Sequence, residues 1–215
     1  MTEELQVATK RSKLNRARRQ RIIETTVELF RQTHDVRKVS IEDIAVAARV
    51  SPTTIYNQFG NREGLVGAAA KSLIVEIGTM ARQVMKSALP FDQKLTGLIS
   101  GKIALTSAAS DEIIAKLASQ DKLIAPFIEE MYRSAAKPLW RDLLNEGKHQ
   151  GFIDPAFDEE IFLEYLDIIR IGLSSKKDLL IDWKENLSKL EQLTRVVFYG
   201  FLIKPIDLFN HEPRK

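Results

Sequence analysis

The sequence predicts an all-α protein: an N-terminal three-helix unit containing a helix-turn-helix, joined by a long helix to a larger helical domain. Three observations predict this. Apolar residues recur at helical spacing almost from end to end. Strand-like alternation and hairpin dipeptides such as Asn-Gly or Asp-Gly are absent. Capping and proline signals divide the first third into short helices, whereas later ones run longer. With 215 residues and 44% apolar content, the chain can bury a sizeable core.

The elements follow in order. Ile22, Thr26, Leu29 and Phe30 mark one face of a first helix ending near Thr33 or His34. Ser40-Ile41-Glu42-Asp43 reads as a weak capping box, opening a second helix with Ile41, Ile44, Ala45 and Ala48 inward. Ser51 is a capping residue and Pro52 stands at the first helical position, where its missing N–H costs nothing. A short third helix therefore ends near Gln58, separated from the second only by Arg49-Val50-Ser51. Two short helices with so brief a joint make a helix-turn-helix. A fourth helix runs from Asn61 or Arg62 to about Lys86, with Leu65, Ala69, Leu73, Ile77 and Met80 on one stripe. Later helices are expected over 91–108, 111–120 and 124–147, the last kinked at Pro138. Gly147 and Gly151 bracket a loop, and two final helices cover roughly 158–181 and 184–204.

Charge is unevenly spread along the chain. Residues 1–66 hold 12 Lys/Arg against 8 Asp/Glu, a net +4, while the remainder is close to neutral. Lys10 to Arg21 carries seven basic residues and no acid, a block suited to phosphates, or else a solvated arm. Its leading residues, Lys10, Arg11 and Lys13, are candidate DNA contacts. The expected organisation is a basic arm over 1–15, a helix-turn-helix domain over 16–66 and a helical domain over 67–215.

The exclusions are as informative. Zero Cys removes thiol nucleophiles, disulfides and zinc–thiolate sites. No apolar signal segment follows Met1, and the longest apolar run, Val196 to Ile203, is far short of the roughly 20 residues a membrane helix needs. A cytoplasmic protein without membrane partners is expected. Gly97-Leu98-Ile99-Ser100-Gly101-Lys102 has the wrong spacing for a phosphate loop and Ile103 where a magnesium-binding hydroxyl belongs. Ser134-Ala135-Ala136-Lys137 lacks its companion motifs, and Glu146–His149 is a single Glu-x-x-His. His34, His149 and His211 are scattered. Neither an enzyme, a cofactor nor a metal is expected.

The third helix buries Ile55, with Phe59 one turn on, and leaves Thr53, Thr54, Tyr56, Asn57 and Gln58 as polar groups suited to phosphates and base edges. From Ile22 to Leu73 the chain resembles the DNA-binding domain of TetR-like (tetracycline-repressor family) transcriptional regulators. The resemblance lies in Ile23…Leu29-Phe30, Val39-Ser40-Ile41-Glu42-Asp43-Ile44-Ala45 and Ala48-Arg49-Val50-Ser51. It continues through Thr53-Thr54-Ile55-Tyr56-Asn57-Gln58-Phe59 and Asn61-Arg62-Glu63-Gly64-Leu65. It implies that Ser40 caps the second helix and meets a phosphate, that Ser51, Thr53 and Thr54 begin the recognition helix, and that Tyr56 lies against the DNA backbone. Asn57 and Gln58 are its variable neighbours. Arg62 takes the place of a usual lysine and would meet a phosphate. Arg49 stands where the family often has glycine, so a left-handed turn there would cost roughly 1 kcal/mol.

The resemblance further implies a homodimer formed through the last two helices, reading an inverted repeat in double-stranded DNA, and a cavity for a small-molecule effector. The candidate interface residues are Tyr165, Ile169, Leu190, Leu193, Val197, Gly200 and Phe201. Phe127, Met131, Trp140, Leu144, Phe152, Phe162 and Tyr165 either line the cavity or fill an ordinary core. The function expected is a repressor released from its operator by that effector. The alternative is an architectural or partner-controlled DNA binder without one.

Overall fold

The computed structural model describes residues 2–33, 38–109, 111–118, 122, 124–174 and 186–199, and every regular element among them is helical. The first helix, α1, spans Thr2–Gln32. The basic segment 1–15 is therefore no separate arm but the leading half of α1, standing out beyond the packed body with its residues exposed from Thr9 to Arg21. Only from Ile22 and Ile23 onward does α1 present a buried face, which then takes in Thr26 and Phe30. Thr26 is buried without penalty because its hydroxyl donates to the Ile22 carbonyl at 2.7 Å.

Helices α2 (Ile41–Ala47), α3 (Pro52–Phe59) and α4 (Arg62–Lys86) follow the sequence-based boundaries closely. Then come α5 (Phe91–Ser107), α6 (Asp111–Ala118) and α7 (Ala125–Met131), a π turn over Tyr132–Ala136, and α8 (Lys137–His149). The last described helices are α9 (Glu159–Ser174) and α10 (Leu187–Tyr199). Where one helix kinked at Pro138 was expected, the π turn lies directly before that residue. Proline lacks a donor and crowds the carbonyl four residues back, here Ser134 inside the π turn, whose wider winding absorbs the misfit. Nor does α8 stop at Gly147. It continues to His149 and closes with Gly151 at φ 70°, where Gly151 N–H donates to Lys148 and Phe152 N–H to Gly147, a Schellman closure.

Two apolar clusters hold the molecule. The first joins Ile22, Phe30, Ile44, Ile55, Leu65, Val66, Ala69 and Leu73 to Ala109, Ile113, Ile114 and Ile124, so α6 and the start of α7 complete the core of the N-terminal unit. The second gathers Phe91, Leu95, Ile99, Leu143, Leu144, Ile153, Phe162 and Phe198. Lys94 enters this region as a paired cation, donating to both Glu146 carboxylate oxygens at 3.1 and 2.8 Å and tying α5 to α8. By length and hydropathy α4 could cross a membrane, although the sequence reading found no run long enough. Its apolar stripe is covered by α1, α3, α5 and α6, which makes it the central core helix.

Candidate nucleic-acid interface

The geometry of the helix-turn-helix is set by its caps. Ser40 Oγ accepts from Asp43 N–H at 3.0 Å, and the Asp43 carboxylate accepts from Ser40 N–H at 2.8 Å and from its hydroxyl at 2.6 Å. These bonds from Ser40, side chain first and backbone second, hold the Asp43 carboxyl below its ordinary pKa. The capping box is thus complete, and the Ser40 hydroxyl, expected at a phosphate, spends its proton on Asp43. After Ala48 the chain turns through Arg49 at φ 54°, a left-handed conformation held without the glycine that usually relieves it. Arg49 N–H donates to Val46 and Val50 N–H to Ala45, so α2 ends in the same closure as α8, with arginine where α8 has glycine.

Ser51 then caps α3. Its Oγ accepts from Thr54 N–H at 3.2 Å and lies 2.9 Å from Thr54 Oγ1, which turns both hydroxyls toward each other. Ile55 is fully buried, whereas Thr53, Tyr56 and Asn57 are exposed. Positions 53, 56 and 57 share one face of a helix, so these three form the outward surface of α3. Gln58 does not belong to it: its amide donates to the Asn15 side chain of α1. Arg19, one turn further along α1, stacks over Phe59 with 4.8 Å from guanidinium to ring centroid. Sequence reading missed both Asn15 and Arg19. The signal was present, because Arg19 stands three and four residues before the buried pair Ile22 and Ile23.

Arg62 is also redirected. Its guanidinium donates to the Val39 carbonyl and lies 5.5 Å from the Phe30 ring centroid, so it braces the entry to α2 from inside, where a phosphate contact was expected. The start of α4 is capped by Asn61, whose Oδ1 accepts from Gly64 N–H at 2.8 Å. Gly64 permits α3 to press on α4, since a Cβ there would be driven into the Phe59 carbonyl. Lys10, Arg11 and Lys13 are exposed along the free half of α1, Lys10 and Lys13 one turn apart on the same side.

The expected effector residues do not gather around one space. Leu144 and Phe162 are buried in the second cluster, where Trp140 packs against Phe162 and Phe198 at 5.9 and 5.6 Å and Phe152 against Phe91 at 5.3 Å. Four of the seven therefore fill the core. Phe127 lies under Lys71 of α4, and Met131 beside Gly78. Tyr165 points outward. Of the expected interface residues, Tyr165 is exposed, Ile169 and Leu193 are half-buried, and Val197 packs on the second cluster. Gly200, Phe201 and the Leu190 side chain lie outside the described residues. Sequence reading did not place two strongly exposed apolar residues, Ile171 on α9 and Val196 on α10, at the interface.

Residues 22–69 match the family model for bacterial regulatory proteins of the tetR family. The HTH-type transcriptional repressor KstR2 of Mycobacterium tuberculosis is 21% identical over 156 residues, covering 70% of this chain and 76% of that protein. Among solved structures, the regulatory protein TetR from Rhodobacter sphaeroides aligns with a TM-score of 0.57 at 17% identity, covering 85% of this chain and 97% of that one. The fatty acid degradation regulator FadR from Bacillus halodurans gives 0.52 at 24%, covering 83% and 94%. The matched segment contains every cap of the helix-turn-helix and the outward face of α3, and the all-helical fold extends beyond it. Over residues 22–69 the chain is similar to the tetR family of bacterial regulatory proteins, and its all-helical fold is that of the aligned structures.

Proposed function

We propose that the protein is a repressor that binds an inverted-repeat operator as a homodimer and leaves it when a small molecule occupies the C-terminal domain. One observation carries the reading. The core beneath the recognition helix is continuous with α6 and α7, because Ile55 and Leu65 share a cluster with Ile113, Ile114 and Ile124. The Glu63–Lys116 ion pair, at 2.8 Å, adds a polar tie between α4 and α6. Displacing α6 therefore moves α4 and changes the spacing of two recognition helices. A ligand that prefers the wrong spacing weakens DNA binding by its differential affinity for the two states, typically about 1–3 kcal/mol.

Within this reading Thr53, Tyr56 and Asn57 meet the major groove, and Lys10, Arg11 and Lys13 supply phosphate contacts from the protruding half of α1. Ser40, Ser51 and Thr54 shape the helices that carry those groups. Dimerisation uses the exposed stripe Ile161, Tyr165 and Ile168 of α9 with Val196 and Tyr199 of α10. Gly172 extends that stripe, and open space surrounds its Cβ position, which allows a second helix to approach closely. One short helix reads too few base pairs for useful specificity, and two related by a two-fold axis read an inverted repeat. Such a protein works in the cytoplasm, beside the DNA.

Selection on random duplex DNA at near-physiological salt tests the reading. Enrichment of an inverted repeat by a dimer, confirmed by light scattering at micromolar concentration, is the expected result. Binding that is salt-sensitive and sequence-blind would refute it in favour of an architectural role. An operator complex insensitive to every small molecule but broken by a protein partner would retain the DNA-binding half only.

A further inference from the structure

A cleft of about 430 Å³ lies where α1, α3, α4 and α6 meet, beside the start of α7. Its walls include Arg19 of α1, Phe59 of α3, Glu63 and Lys71 of α4, Lys116 of α6 and Ile124. Three cations thus face a single carboxylate among the described lining residues. The volume is in the range of small-molecule sites. Gly67 gives α4 a bare flank here: its Cβ position lies 3.7 Å from both Lys116 Cε and Ile124 Cδ1, so the lysine stem and the isoleucine press directly on the helix.

The three cations are held in two ways. Arg19 stacks on Phe59, and Lys71 Nζ stands 5.3 Å from the ring centroid of Phe127. Neither has a carboxylate partner among the described residues. An aromatic face positions a cation without neutralising it, so both charges stay available to an anion. Lys116 does have a carboxylate, donating to Glu63 Oε1 at 2.8 Å, but the Glu63 side chain is 73% exposed and water competes for it. The cleft therefore combines a surplus of two positive charges with an apolar floor of Phe59 and Ile124. It also lies off the DNA-reading face. At about 100° per residue, Gln58 and Phe59 are turned to the reverse of α3 from Thr53, Tyr56 and Asn57, and these two border the cleft. A duplex seated on the outward face leaves it open to a free molecule.

We propose that this cleft binds a compact molecule carrying two negative charges, a phosphate ester or a dicarboxylate, whose apolar part rests on Phe59 and Ile124. It is a second site, distinct from an effector site within the C-terminal domain, and its test does not depend on ligand-controlled release. By joining Arg19 on α1 and Lys71 on α4 to Lys116 on α6, the bound molecule bridges the recognition unit and the helix that completes its core.

The test is calorimetry at constant ionic strength and about pH 8, where phosphate esters are doubly charged. Phenyl phosphate, phthalate and the monoanion benzoate are titrated into wild type, Lys71→Met, Lys71→Arg and Glu63→Gln. Wild type is expected to bind at least one dianion ten or more times more tightly than benzoate. Lys71→Met should lose most of that preference, and Lys71→Arg should keep it. Glu63→Gln removes the opposing carboxylate and releases Lys116, so it should bind the dianion several-fold more tightly than wild type, a gain that misfolding cannot mimic. Equal affinity for dianion and monoanion, undiminished binding by Lys71→Met, no gain in Glu63→Gln, or no binding of either dianion at millimolar concentration overturns the proposal. So does a shallower salt dependence of duplex binding in Lys71→Met, which would assign the cleft to the DNA backbone.

Discussion

Replacing Arg49 with glycine should make the protein more stable. The residue holds φ 54°, and a side chain in that left-handed region costs about 1–2 kcal/mol through its Cβ. Glycine removes the cost but gives the unfolded chain more freedom, a loss of about 0.4–1 kcal/mol. The net gain is about 0.5–1 kcal/mol, which for a chain of this length raises the melting midpoint by roughly 1–4 °C. The two bonds of the closure, Arg49 to Val46 and Val50 to Ala45, come from the backbone and survive the change. Scanning calorimetry of Arg49→Gly, with Arg49→Asn as an intermediate, measures the effect. Gly151→Ala supplies the mirror experiment, because Gly151 holds φ 70° in the same motif and should lose about 1 kcal/mol. A midpoint for Arg49→Gly at or below wild type would refute the strain argument and assign the turn to contacts of the arginine side chain. The same variant reads function: an exposed cation beside the start of α3 that meets a phosphate should, on removal, lower the slope of log affinity against log salt by about 1.

Other substitutions test other parts of the fold. Gly147→Ala gains about 1 kcal/mol of helix propensity. Its Cβ would fall 2.7 Å from both Ile153 Cδ1 and Phe91 Cε2, and overpacking of about 1–3 kcal/mol should win, so urea titration should show a net loss. Arg62→Met removes a charged hydrogen bond to the Val39 carbonyl and the stacking over Phe30, a loss of about 2 kcal/mol, while leaving the salt dependence of DNA binding unchanged. Unchanged stability with a shallower salt slope would return Arg62 to the phosphate backbone. Because Asp43 titrates below its unfolded value of 3.8, its contribution is complete above that pH and disappears as pH falls through the lowered folded value. Asp43→Asn should therefore flatten the acid limb of stability measured by circular dichroism, and an unaltered limb would show that the capping box does not govern it.

The parts of this fold that were legible in the sequence are those decided locally. Ser40 and Ser51 act on N–H groups within one helical turn and Pro52 lacks one where none is needed, and α2 and α3 begin where those residues predict. At Arg49 the resemblance gave only the cost of a left-handed turn, and the structure shows that the turn is left-handed. Partner choice across the chain was not legible. Gln58 and Arg62 have side chains suited to DNA, and only the tertiary packing shows that Asn15, Val39 and Phe30 claim them first. The aromatic residues of the central helices posed the same problem, since Trp140 and Phe162 look alike in sequence whether they line a space or fill it.

The shared core has a consequence for inheritance. The first 66 residues hold a complete set of helix-turn-helix signals but an incomplete interior, because Ala109, Ile113, Ile114 and Ile124 close it from more than forty residues downstream. The recognition unit cannot be exchanged between regulators at the boundary its motif suggests. A graft made at residue 66 cuts α4 in its second turn and leaves Leu65, Ile55 and Ile44 facing a foreign surface. Recombination that preserves folding must carry α6 with the helix-turn-helix, so changes in the recognition unit and changes in the C-terminal helices are constrained to evolve together across that one apolar layer.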